Sequence, residues 1–123
     1  MAKILVAEDD DVVRELVIRA LNEEGHELTA APDGAAALEA LTRENGDFDL
    51  LLSDVKMPVM DGIVLALAVG RDHPDVAIML MTGFADQRER AHGLDALVHD
   101  VIVKPFSVDQ IKVVVREALV PRH

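Results

Sequence analysis

Five short apolar runs, KILVA (3–7), ELTAA (27–31), DLLLS (49–53), VAIML (76–80) and VIVK (101–104), alternate with longer stretches of helical spacing. This alternation limits the fold more than any other feature. The first, third, fourth and fifth runs are almost unbroken apolar residues, the pattern of parallel strands covered by helices on both faces. Between them, Val13, Leu16, Val17, Ala20 and Leu21 mark the inner face of a helix that stops at Gly25. Ala37, Leu38 and Leu41 mark a second, before Asn45-Gly46, and Leu65 and Val69 a third, between Asp61-Gly62 and Pro74. A fourth helix, over 86–97, has only Ala91, Leu94 and Leu97 as inward candidates and contains Gly93, so it is expected to be short or mobile. A fifth carries Ile111, Val114, Val115, Ala118 and Leu119 up to Pro121. Five strand-then-helix units predict an α/β fold, a doubly wound parallel sheet in three layers.

The 123 residues fit one domain, 1–123, with no room after the last helix for an effector domain. A net charge of −11 disfavours electrostatic binding to nucleic acid or an anionic membrane and favours cations and basic protein surfaces. Acidic residues follow the first apolar run at once, so neither a signal peptide nor a spanning helix can be drawn, and a cytoplasmic location is expected. Without Trp or Tyr, stacking on nucleobases or flavins is disfavoured. The five histidines, His26, His73, His92, His99 and His123, share no ligand spacing and are read as solvated loop or helix residues.

Open parallel sheets bind ligands beyond the carboxyl ends of their strands, where the strand order reverses. Glu8 and Asp9 end the first run, Asp54 ends the third, Thr82 follows the fourth and Lys104 ends the fifth. If the first and third strands are neighbours, three carboxylates meet a hydroxyl and an ammonium. Carboxylates with open positions suit Mg²⁺, and a soft metal is disfavoured without thiols. Each residue taken singly also has an ordinary reading. An acid at a strand-to-helix junction commonly caps the helix, which is the reading given to Asp10 and Asp11. Asp54 and Thr82 also fit turns, and Lys104 fits a surface lysine, although the Lys104-Pro105 bond can be cis and aim it toward the sheet edge. Together they point to phosphoryl transfer onto a carboxylate. Asp54 is then the nucleophile, Asp9 a metal ligand, Thr82 a hydroxyl donor and Lys104 a partner of the phosphoryl group.

The segments LVAEDD, LLLSDVKMPVMDG, MLMTGF and VIVKPF, in this order and spacing, resemble the receiver domain of two-component response regulators, within the CheY-like superfamily. The resemblance covers essentially the whole chain. It implies a flavodoxin-like three-layer sandwich with strand order 2-1-3-4-5 and five helices, and phosphoryl transfer from a histidine kinase or phosphotransfer protein. Asp54 is implied as the phosphoacceptor, Asp9, Asp54 and the backbone carbonyl of Lys56 as Mg²⁺ ligands, and Glu8 as acting through water. Thr82 would hydrogen-bond the phosphoryl group and Lys104 would pair with it. Met57, Pro58, Asp61 and Gly62 would shape the loop after Asp54.

Receivers often have an aromatic residue three positions before the lysine, where this chain has Val101, so the resemblance does not imply the usual threonine-to-aromatic switch. Lys56 and Phe84 occupy positions that tune access of water to the phosphoryl group, and Phe84 is expected to shield it. The stretch from Thr82 to Phe106 is similar to small stand-alone regulators of the CpdR type, which implies an adaptor for a ClpX-type unfoldase in bacterial cell-cycle control. A phosphorylation-independent scaffold is the alternative. A flavin carrier is disfavoured because EDDD repels phosphate, and a phosphohydrolase because Lys56 stands where a second acid is needed. Slow self-dephosphorylation is the most catalysis expected.

Overall fold

A computed structural model of the chain describes residues 2–83 and 98–120. The chain runs through β1 (Lys3–Ala7), α1 (Asp11–Glu23), β2 (Glu27–Ala31), α2 (Gly34–Arg43), β3 (Leu50–Asp54), α3 (Gly62–Asp72), β4 (Ala77–Thr82), β5 (Asp100–Val103) and α4 (Val108–Ala118). The strands form one sheet in the order β2-β1-β3-β4-β5, and every pairing is parallel. The helix expected over 86–97, Phe84 and Pro121 lie outside the described residues. Strand positions expected from the sequence recur within about two residues, the largest difference being β4, which runs on to Thr82.

Successive strand residues point to opposite faces, and this divides the apolar residues between two cores. Leu5, Ala7, Leu51, Ile78 and Leu80 pack with Leu41 of α2 and Leu65 and Val69 of α3. Ile4, Val6, Leu50, Leu52, Met79 and Met81 pack with Val17 and Leu21 of α1 and Ile111 and Val115 of α4. Each such side chain contributes about 2 kcal/mol by leaving water. The central strands therefore have no polar face, as their unbroken runs implied.

Two burial expectations are corrected. β5 is an edge strand, with Val103 42% exposed, so its apolar run is not covered on both faces. Leu16 lies on the outer side of α1, 37% exposed, because the inward stripe narrows to Val17, Ala20 and Leu21.

The helix starts follow from local chemistry. Asp10 caps α1 by accepting from the backbone N–H groups of Val12 and Val13 at 2.9 and 3.2 Å, as the sequence reading held. Asp33 and Asp61 cap α2 and α3, and Ser107 with Gln110 closes a reciprocal capping box on α4. After α1, Gly25 takes a left-handed φ of 83°, which a side chain would resist. These caps set where each helix begins above the sheet.

Candidate functional site

β1 and β3 are neighbours, with Ala7 beside Ser53, and this register brings Glu8 and Asp54 to the same edge of the sheet. β4 brings Thr82 in as its last residue rather than in the loop beyond it. Lys104 lies one residue past β5, where its backbone N–H donates to the carbonyl of Thr82 at 2.7 Å. The Lys104-Pro105 peptide is cis. Lys104 Nζ is 2.5 Å from Glu8 Oε1 and 3.1 Å from Asp54 Oδ2. Carboxylate oxygens of Glu8, Asp9 and Asp54 lie within 4.8 Å of one another.

Glu8 is wholly buried and Asp54 nearly so, while Asp9 stands at the rim. Burial pushes the Glu8 carboxyl above its ordinary range, and the Lys104 ammonium only partly opposes this. Partial desolvation and the Glu8 carboxyl beside it push Asp9 upward too. Burial alone would lower the Lys104 ammonium, but the hydrogen bond to Glu8 and the charge of Asp54 outweigh it and raise it. One ammonium thus faces three crowded carboxylates. Among the described residues the set is all hard oxygen, which fits Mg²⁺ in donor type and in spacing.

Thr82 Oγ1 is fully buried and has no hydrogen-bond partner among the described residues. A buried orphan hydroxyl costs about 1–3 kcal/mol, so it marks a place where an acceptor is wanted. A phosphoryl oxygen on Asp54 would be such an acceptor. The structure therefore juxtaposes all five expected residues, Glu8, Asp9, Asp54, Thr82 and Lys104.

The loop after Asp54 is held tightly. The Gly62 N–H donates to the carbonyl of Val55 at 2.8 Å, and a Cβ on Gly62 would lie 2.0 Å from the carbonyl oxygen of Asp54. Only glycine permits that approach. Met57 is buried under the loop, whereas Lys56 and Pro58 are exposed. Val59 takes a positive φ of 69°, an uncommon conformation for a β-branched residue. Val101 is half-buried and packs against the core shared by α2 and α3.

Three features were missed in the sequence. Glu8 forms a direct ion pair with Lys104, rather than only standing by to act through water. Ser53, wholly buried, donates its hydroxyl to the Asp54 carbonyl at 3.0 Å, and its position before the acceptor was the available signal. Arg14 donates to the Glu8 carbonyl at 2.8 Å, a contact that needs the helix and strand placed together. The histidine reading also changes: half-buried His26 accepts from the Ala2 N–H at 3.1 Å, and His73 caps the end of α3.

Comparison with known proteins identifies the family. Residues 4–116 match the response regulator receiver domain family. The chain is 46% identical over 85 residues to the response regulator receiver protein CpdR of Brucella abortus, which covers 69% of each protein. It is 34% identical over 118 residues to the sensor kinase CckA of the same organism, covering 96% of this chain but only 12% of CckA. The crystal structure of response regulator TrrA from Thermotoga maritima, in complex with Mg²⁺-BeF, superposes with a TM-score of 0.84 at 31% identity, covering 97% of this chain and 100% of that one.

Proposed function

The chain belongs to the response regulator receiver domain family, and from that premise we propose that Asp54 accepts a phosphoryl group from a histidine kinase or phosphotransfer protein in a Mg²⁺-dependent reaction. A receiver domain is a signalling module, not an enzyme in the usual sense. The observation that carries the assignment is the buried Asp54 carboxylate, 3.1 Å from the Lys104 ammonium, beside a strand that ends in a buried orphan hydroxyl.

In the transfer, an Asp54 carboxylate oxygen forms a bond to phosphorus as the bond from phosphorus to the donor's imidazole nitrogen breaks. The bonding pair leaves with that nitrogen. Lys104 is already within 3.1 Å of Asp54 and would follow the added negative charge. Thr82 would donate its hydroxyl to a phosphoryl oxygen, which satisfies a group otherwise left without a partner. Asp9, Asp54 and the Lys56 backbone carbonyl would hold Mg²⁺, with Glu8 acting through water. When bound, the ion supplies charge neutralisation for the transferred group. The relative TrrA, whose structure contains Mg²⁺-BeF, supports this ligand chemistry.

Incubation with acetyl phosphate and Mg²⁺, followed by intact-protein mass measurement, tests the reading. Wild type should gain one phosphoryl group, and Asp54→Ala none. Equal labelling of both, or no labelling of wild type, would overturn it and leave the phosphorylation-independent scaffold.

The proposed output is a phosphorylation-controlled protein surface whose partner is a ClpX-type unfoldase. Its support is the 46% identity to CpdR, stated as similarity to that protein. Capture of purified unfoldase by wild type and Asp54→Ala, with and without acetyl phosphate, tests it. No capture in any form would exclude this partner.

A further inference from the structure

Between Glu8 and α1 the chain makes its sharpest concentration of like charge, Glu8, Asp9, Asp10 and Asp11 in succession. Three of the four have evident anchors. Glu8 is held by Lys104, Asp10 caps α1, and Asp11 pairs with Arg14 at 2.5 Å. Among the described residues, the rim residue Asp9 has beside its carboxyl only the Glu8 carboxyl and its own backbone N–H, so its direction depends on the backbone on either side of it.

That backbone is tied at three points, one of them the Asp10 N–H, which donates to Glu8 Oε2 at 3.2 Å. The Glu8 N–H donates to the Ala31 carbonyl at 3.0 Å, and the Glu8 carbonyl accepts from Arg14 at 2.8 Å. Arg14 lies one turn into α1, with its side chain only 22% exposed. One terminal nitrogen of its guanidinium holds the last carbonyl of the strand side, and the other holds Asp11 in the first helical turn. The planar fork therefore spans the segment that carries Asp9. Lysine, a point-like ammonium on a flexible stem, does not reproduce the two-nitrogen planar fork that spans these ends.

We propose that Arg14 is a positioning residue for the cation site: by clamping the Glu8 carbonyl to Asp11 it sets the direction of the Asp9 carboxylate and so the affinity for Mg²⁺. This rests on the Mg²⁺-dependent reading above. Groups that orient metal ligands typically matter about 10–100-fold in affinity. Arg14 also brings a positive charge near the acidic pocket, and charge alone would act in the opposite sense. Removing that cation would strengthen the attraction for Mg²⁺.

The two effects separate in a titration of the whole chain with MgCl₂, followed by amide resonances in NMR spectra. Wild type, Arg14→Lys and Arg14→Gln are compared, each first shown to be folded by its spectrum and thermal transition. The clamp requires a Mg²⁺ dissociation constant raised about tenfold in both variants. With acetyl phosphate, the Mg²⁺ concentration for half-maximal labelling should rise by the same factor, while the rate at saturating Mg²⁺ stays near that of wild type. A general loss of structure would lower that saturating rate as well and would count against the clamp. An unchanged constant in Arg14→Lys, or a tighter one in Arg14→Gln, overturns the proposal. If Arg14→Lys does not fold, Arg14→Gln decides alone. Failure of wild type itself to bind Mg²⁺ would overturn the reading beneath the proposal, and the proposal with it.

Discussion

The two ends of the sheet are built from similar polar residues but are satisfied to different degrees. At the amino end, the Lys3 N–H donates to Asp49 at 2.8 Å, the Ala2 N–H to His26 at 3.1 Å, Lys112 pairs with Glu23 at 2.8 Å and Arg116 with Glu24. A cavity of about 860 Å³ opens there, and His26, Asp49, Glu24 and Arg116 on its wall have partners within the fold. At the carboxyl end, three carboxylates share one lysine and a buried hydroxyl has no partner among the described residues. What separates the two ends is unmet electrostatic and hydrogen-bonding demand, the usual mark of a functional site, and not the presence of a hollow.

The ends should also respond oppositely to acid. Glu8 and Asp9 have carboxyls raised by the fold, so the folded chain holds their protons more readily than the unfolded chain does. Their contribution to stability improves as pH falls from neutrality toward the ordinary carboxylate range. His26 is lowered, first by burial, and its contribution runs the other way.

Three perturbations probe this contrast, beginning with the largest expected effect. Lys104→Ala leaves wholly buried Glu8 without its ammonium and should destabilise the metal-free protein by about 2 kcal/mol in urea. That is less than for a fully enclosed pair, because Lys104 keeps some solvent contact. Mg²⁺ should restore part of the loss. A loss no larger than that caused by Lys112→Ala, at the amino end, would dissolve the distinction between the two ends.

Thr82→Val removes a buried hydroxyl that has no partner among the described residues while nearly keeping the shape of the side chain. It should raise stability by about 1 kcal/mol and slow labelling by acetyl phosphate. A stability decrease in the metal-free protein would mean that the hydroxyl is already satisfied.

The smallest effect belongs to His26→Gln. The stabilising share of neutral His26 is complete above its ordinary value of 6.5 and is lost as pH falls below it. Thermal melts of wild type between pH 7.5 and pH 5.5 should therefore carry a small acid-side loss that the Gln variant lacks, an effect on the order of 1 kcal/mol or less. Parallel curves for the two proteins would remove His26 from the account.

The alternation of KILVA, DLLLS and VAIML with helical stretches was legible because strand and helix periods are local properties of the chain. The placing of Glu8, Asp9, Asp54, Thr82 and Lys104 at strand ends followed from it, since a parallel sheet collects those ends on one edge. Leu16 and β5 were misread for a related reason. An apolar residue on a helix, or in an edge strand, is covered only if a neighbour arrives, and periodicity does not name the neighbour.

The sequence by itself determined the layered architecture, the cap at Asp10, and which residues could reach the site. The tertiary structure alone decided that Lys104 closes on Glu8 across 96 positions, that Thr82 is left with no partner among the described residues, and that Arg14 holds the Glu8 carbonyl. Hydrogen bonds and ion pairs require separations near 3 Å and correct angles. A linear pattern brings residues to the same edge, but only strand order, register and helix placement set distances of that kind.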